Sequence, residues 1–194
     1  FMPSQITAGI EYHYDNLHDK MPGYESRPSI RQITKTYGGY LQNEWKDDKW
    51  TFLVGARLDK HNLIDNAIFS PRVNIRYTPI KPLIFRTSYA AGYRAPQTFD
   101  EDLHVTAVGG AVSLISNAKD LKPEYSHSIN VSADYTFEVG TCDFNLVLDG
   151  FYTKLKDVFY LEPIGHDKGD NQLLERRNGS GATVKGVNLE LQAR

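Results

Sequence analysis

Along most of the chain, hydrophobic and polar residues trade places at every step, which is the period of a β-strand with one apolar face and one wet face. In residues 5–14, Ile6, Ala8, Ile10, Tyr12 and Tyr14 alternate with Thr7, Gly9, Glu11 and His13. Trp50, Phe52, Val54, Ala56 and Leu58 alternate with Thr51, Leu53, Gly55, Arg57 and Asp59. Val73, Ile75 and Tyr77 oppose Arg72, Asn74 and Arg76, and Phe85, Thr87, Tyr89 and Ala91 oppose Arg86, Ser88, Ala90 and Gly92. Later, His127, Ile129, Val131, Ala133 and Tyr135 face away from Ser126, Ser128, Asn130, Ser132 and Asp134. Phe144, Leu146, Leu148 and Tyr152 likewise oppose Asp143, Asn145, Asp149 and Thr153, and Val187, Leu189 and Leu191 oppose Gly186, Asn188, Glu190 and Gln192. Residues 34–45 also read as a strand, but Gly38-Gly39 and aromatics on both parities leave its facing open.

This pattern predicts an all-β, antiparallel chain of about eight strands, and the connections between them are sorted by length. Turn chemistry without hydrophobic period fills 15–31, 61–67, 93–123 and 155–182, whereas Lys46-Asp47-Asp48-Lys49, Pro79-Ile80-Lys81-Pro82 and Glu138-Val139-Gly140 are tight turns. The segment 93–123 is too long for an ordinary connector and reads as a functional loop. Long connections alternating with short ones are what a membrane barrel shows, with long outer loops and short inner turns; a soluble sandwich has no reason to sort them. Aromatic residues near strand ends (Tyr12, Tyr14, Trp45, Trp50, Tyr77, Tyr135, Phe137 and Tyr152) fit an interfacial girdle, and equally fit core aromatics at sheet edges.

Composition changes this picture little. The chain has 194 residues, 40% of them hydrophobic, and a mean hydropathy of -0.47. No apolar run approaches the roughly 18 residues of a transmembrane helix, but barrel strands need only about 9 to 11 residues with every second one facing lipid, so low hydropathy does not decide. A formal charge of -2 and the lack of any aromatic-plus-basic cluster exclude nucleic acid as a partner. Cys142 is the single cysteine, beside Phe144 and Leu146, and reads as a buried or lipid-facing thiol. The chain starts at Phe1 and stops at Arg194 directly after an alternating run, and is expected to be a fragment.

The words Gly92-Tyr93-Arg94-Ala95-Pro96 followed by Phe99-Asp100-Glu101-Asp102-Leu103-His104 resemble a signature of TonB-dependent outer-membrane receptors, of the kind found in Bacteroides-like bacteria. Gln42-Asn43-Glu44-Trp45-Lys46, Asp149-Gly150-Phe151-Tyr152 leading to Leu155-Lys156-Asp157, and Arg177-Asn178-Gly179 through Gly186 are similar to further stretches of that family, in the same order. The resemblance implies that residues 1–194 are part of a transmembrane β-barrel of about 22 strands with a plugged lumen in the bacterial outer membrane. It also implies active import of a scarce nutrient such as siderophore-bound iron or cobalamin, driven by the TonB complex. The plug domain and TonB box are expected to be absent from these residues. Implied partners are membrane lipid and lipopolysaccharide, the TonB complex through the missing plug, and a small-molecule ligand such as a metal chelate; no cofactor is implied. Two other readings of the strand pattern stay open: a self-contained eight-stranded outer-membrane barrel with a structural or adhesive role, and a soluble carbohydrate-binding β-domain.

Arg57, Arg72, Arg76 and Arg86 share the polar parity of neighbouring strands with Asp59, and Asp134 and Asp149 lie on that parity further on. Facing lipid, such charges would cost about 2 to 4 kcal/mol each at the midplane, so they are expected to line the lumen. There they either neutralise one another and support the plug, or contact ligand. Arg94, Gln97, Asp100, Glu101, Asp102 and His104 follow the strand that ends near Gly92 and are expected to touch ligand or plug. The acidic cluster with one histidine lacks a recognisable metal spacing and reads as a solvated loop. Asn178-Gly179-Ser180 resembles a glycosylation acceptor but reads as a turn. No nucleophile, base and orienting group can be assembled, so catalysis is not expected.

Overall fold

The computed structural model describes residues 2–19, 30–97, 105–108 and 111–194. The eight alternating stretches become one sheet, in which every neighbouring pair is antiparallel. Its strands are β1 (Ser4–Asp19), β2 (Ile30–Lys46), β3 (Trp50–His61), β4 (Ile68–Ile80), β5 (Leu83–Arg94), β8 (Glu124–Val139), β9 (Cys142–Lys156) and β12 (Ala182–Ala193), and they follow one another across the sheet in that order. The four strands absent from that series lie in the two longest connections. β6 (Val105–Val108) and β7 (Ala111–Asn117) lie between β5 and β8; β10 (Phe159–His166) and β11 (Gln172–Asn178) lie between β9 and β12. They form a second sheet in the order β10-β11-β7-β6, with β11 and β7 parallel. We call the two sheets the wall and the cap.

Several wall strands run further than their alternation suggests. β1 continues to Asp19 and β2 begins at Ile30, so both enter the segment expected to be loop. In this pair each residue that breaks the period still finds a strand partner, as in Asn16 opposite Ile33 and Leu17 opposite Gln32. The register also settles the facing of β2: Thr36, Gly38, Tyr40, Gln42 and Glu44 lie with the polar residues of β1 and β3, while Tyr37, Gly39, Leu41 and Trp45 join the apolar side. Gly38 sits where a Cβ would come within 2.5 Å of both an Arg57 guanidinium nitrogen and an Asp59 oxygen, so the missing side chain leaves room for that pair.

The tight turns are built by local hydrogen bonds. Asp47 Oδ1 accepts from the backbone N–H of Lys49 (2.9 Å) and of Trp50 (2.7 Å), closing β2 onto β3. These two backbone donors hold the Asp47 carboxyl below its ordinary pKa, because they favour its charged form. From this end an aromatic row crosses the apolar face, with Trp50 stacked on Tyr77 (4.1 Å between ring centres) and on Phe52 (5.3 Å), and Phe137 between Tyr135 and Phe144. Cys142 is exposed at this end, on the parity of Phe144 and Leu146.

Much of the wall's apolar side is exposed. Ile10 is 95% exposed, Val187 72% and Leu189 71%, which in water would make an apolar patch far beyond what a soluble monomer tolerates. The small buried cluster lies elsewhere, at the long-loop end, where Ile64, Ile68 and Ala95 pack with Tyr93 and Tyr125. There the connection from β3 to β4 meets the exit of β5.

Candidate functional site

Because Cα partners in a sheet share a face, the register shows directly which charged residues sit together. Gly55 pairs with Arg72, Arg57 with Ser70, Arg76 with Arg86, Ser132 with both Arg86 and Asp149, and Ile84 with Asp134. Arg57, Arg72, Arg76, Arg86, Asp134 and Asp149 are therefore all on one face, opposite the apolar one. That face is concave. A hollow of about 600 Å³ is lined by Arg72, Arg76, Arg86, Asp149, Glu44 and Asn130 among others, drawn from strands β2 to β12.

The six residues do not form one cluster. Arg57 reaches towards the long-loop end, where its Nε donates to both Asp59 oxygens at 2.8 Å and its Nη1 to Glu11 Oε2 at 2.9 Å, clamping β1 to β3. Asp59 is 3% exposed, so the guanidinium provides the charge that lets its carboxylate stay buried. Arg86 Nη1 lies 3.5 Å from Asp134 Oδ2, a looser pair, and Asp134 Oδ1 accepts from Asn145 Nδ2 at 2.7 Å. Arg72 and Arg76 make no ion pair among the described residues, and both are exposed on the hollow. The hollow thus presents the guanidinium groups of Arg72 and Arg76 beside the carboxylates of Glu44 and Asp149 and amide and hydroxyl groups, a surface suited to a hydrogen-bonding group of mixed charge.

At the exit of β5 the predicted loop contacts divide. Arg94 Nε donates to Glu124 Oε2 at 2.7 Å, and its guanidinium lies 4.7 Å from the centre of the Phe159 ring. Arg176, 1% exposed, reaches the same ring from the cap at 6.0 Å and donates from Nη1 to the Gln97 carbonyl at 2.7 Å. The Gln97 side chain approaches His61 Nε2 at 3.5 Å, and His61 Nδ1 accepts from the Leu63 N–H. Arg94 and Gln97 are thus engaged in joining wall to cap. Asp100, Glu101, Asp102 and His104 lie outside the described residues. Among the described residues no group of three or more His, Cys, Asp or Glu is arranged to hold a metal ion.

Sequence reasoning missed Glu124, Arg176 and Asn178 as parts of this junction. Asn178 Oδ1 accepts from the Lys122 N–H (2.7 Å), and its Nδ2 donates to the carbonyls of Lys122 (3.0 Å) and Asp157 (2.7 Å). Its expected turn is thus a three-bond staple between two long connections. The only signal was its place in the Arg177-Asn178-Gly179 stretch; for Arg176 there was none, since its partners are 79 and 17 residues away.

The family model described as TonB dependent receptor-like, beta-barrel, matches residues 3–194. The chain belongs to that family. No curated protein sequence matches the chain. Among solved structures, the siderophore receptor PirA from Pseudomonas aeruginosa superposes with a TM-score of 0.79 at 19% identity, over 97% of this chain and 36% of that one. PirA from Acinetobacter baumannii gives 0.71 at 19% identity, over 98% and 32%. The Serratia marcescens hemophore receptor HasR, solved as a double mutant with its hemophore HasA and heme, gives 0.70 at 13% identity, over 98% and 36%. At these identities the likeness carries the fold, and the chain spans about a third of each receptor's length. The wall is accordingly a segment of a TonB-dependent receptor barrel, and the readings as a small self-contained barrel or a soluble carbohydrate-binding domain fall away.

Proposed function

We propose that this segment is part of the wall of an outer-membrane transporter that imports a scarce nutrient, such as siderophore-bound iron or cobalamin, with energy delivered by the TonB complex. The observation that carries the proposal is the separation of faces in a sheet of this family: one side exposed and apolar, the other concave, polar and rich in arginine. On this reading the apolar side meets lipid, the concave side lines the lumen, and the cap lies on the outside of the cell. The similar structures, two siderophore receptors and a hemophore receptor, support a metal chelate as ligand. Arg72, Arg76, Arg86 and Asp149 then meet plug or ligand in the hollow. Arg57 and Asp134 hold the lumen wall, and Arg94 and Gln97 set the position of the outer loops.

The test uses the full-length receptor. A strain lacking it should lose growth on one chelate or cobalamin as sole source of that nutrient, and regain it with the wild-type gene. Restoration should fail when the TonB complex is disabled. Growth that is indifferent to the receptor across the ligand panel would overturn the proposal.

A further inference from the structure

Asn178 is the one asparagine of the chain that glycine follows. Such a pair is open to a reaction that needs only water, because no glycine side chain bars the approach of the backbone nitrogen to the asparagine amide carbon. Gly179 N gives up its proton and bonds to Asn178 Cγ; the Cγ–Nδ2 bond breaks, ammonia leaves, and a cyclic succinimide remains. Water then opens that ring at either carbonyl, leaving aspartate or isoaspartate at position 178. The backbone itself does not demand glycine here. Gly179 stands outside the left-handed region, and an added Cβ would meet Val158 O and the Tyr160 ring at an ordinary 3.5 Å.

In the closed cap both reacting groups are tied. The Gly179 N–H donates to the Val158 carbonyl at 2.7 Å. The Asn178 amide is held at oxygen by the Lys122 N–H (2.7 Å), and at nitrogen by the carbonyls of Lys122 (3.0 Å) and Asp157 (2.7 Å). Turning its carbon towards Gly179 N breaks these bonds, since each depends on the amide's orientation. Phe159, the strand partner of Asn178, is in turn gripped by the guanidinium groups of Arg94 and Arg176. Solvent is close by: Asn178 and Gly179 line a polar hollow of about 770 Å³ whose residues Lys119, Asp120, Arg177 and Ser180 are exposed. What withholds the reaction is therefore the bonding and not a lack of water.

We propose that Asn178 is a modification site guarded by the cap: opening of the staple frees it for conversion to aspartate or isoaspartate, and the product keeps the cap from closing again. A carboxylate only accepts, so it would face the Lys122 and Asp157 carbonyls with no proton to donate. Isoaspartate also adds a methylene to the main chain where β11 meets Phe159. Opening and closing are fast beside this chemistry, so the rate of conversion follows the fraction of time the cap stands open. The conversion is independent of transport, and either reading can fail without the other.

Full-length receptor in mild detergent and a synthetic peptide of residues 172–184 would be incubated side by side in mildly alkaline buffer. Conversion at position 178 would be followed by peptide mapping with mass spectrometry. It should be at least about tenfold slower in the receptor, because the bonds of the staple together change an open population by that order. Phe159→Ala, which removes the ring held by Arg94 and Arg176, should move the rate towards that of the peptide. Gly179→Ala should keep wild-type hydrogen exchange in 118–122 and 157–160 yet show no detectable conversion, a result that a purely structural glycine would not give. Asn178→Asp should exchange faster than wild type in both segments. Equal rates in receptor and peptide, a Phe159→Ala rate no faster than wild type, or conversion undiminished in Gly179→Ala would overturn the guarded site. Wild-type exchange in Asn178→Asp would overturn the claim that the product holds the cap open.

Discussion

In the wall, most strands pair with the strand next to them in sequence through a tight turn or a single loop, and each has one face in each of two environments. In the cap, β7 and β11 pair in parallel across some sixty residues, with Ser113 opposite Gln172 and Ile115 opposite Leu174. The cap strands are short, β6 having only four residues. What holds the cap to the wall is a few side chains: Arg94 and Arg176 around Phe159, and Asn178 across two connections. The wall is thus specified by a repeating contrast of environments, while the cap is specified by particular contacts. Damage to the wall should therefore track which face is hit, and damage to the cap should track which bond is lost.

The largest expected effect tests the faces. In the full-length receptor, Val54→Arg would set a charge on the apolar face, at a position 48% exposed in this segment and paired with Asn43 and Val73. Near the bilayer midplane that costs about 2 to 4 kcal/mol and should depress assembly, seen as loss of the heat-modifiable band on gels. Arg72→Val, on the concave face without an ion-pair partner among the described residues, should assemble normally. The reverse result would mean that lipid and lumen faces had been exchanged. A smaller effect comes from Arg57→Ala, which leaves the buried Asp59 carboxylate without its guanidinium. Because the arginine side chain is itself 33% exposed and partly screened, the loss should be about 1 to 3 kcal/mol. Asp59→Asn in the same chain should restore much of it. If the double variant proved no more heat-stable than Arg57→Ala, the pair would not be what holds β1 to β3.

These particulars also show why the wall was legible in the sequence and the cap was not. Val54 and Arg57 announce their faces by parity alone, and so do Arg72, Arg76, Arg86, Asp134 and Asp149, which the register brings to one side as expected. β2 was ambiguous because Tyr40 sits on the polar face, over a space opened by Gly9, where an added Cβ would lie 2.6 Å from its ring. That is a packing fact with no period. The contacts of Arg94 and Gln97 with Glu124, Phe159 and Arg176 were not legible, because those partners come from β8, β10 and β11, and only long-range pairing brings them together.

The cap offers the sharpest contrast through Asn178→Ala. This removes three hydrogen bonds and leaves backbone groups of Lys122 and Asp157 to find water, at a cost of about 1 to 2 kcal/mol. The effect should stay local. Hydrogen exchange in 118–122 and 157–160 should quicken in the full-length receptor, while the temperature at which the barrel loses its heat-modifiable form is unchanged. A drop in that temperature as large as the one for Val54→Arg would make wall and cap a single cooperative unit.

The smallest effect lies at the opposite end of the wall from the cap, in the turn closed by Asp47. Its carboxylate accepts from the N–H groups of Trp50 and Lys49, and these bonds hold its pKa below the ordinary value for an aspartate. A group whose folded pKa is depressed contributes stability that is fully present above its unfolded pKa, about 4, and is lost as pH falls through the lower folded value. The turn should thus be indifferent to pH near neutrality and loosen only in acid. Amide resonances of Lys49 and Trp50 in the labelled receptor should titrate with a midpoint below that of a free aspartate. Asp47→Asn, which keeps an acceptor oxygen but cannot ionise, should give resonances flat across the same range. A wild-type midpoint at or above the free value would mean that the carboxylate does not cap this turn, and that the tight end of the wall is held by its aromatic row instead.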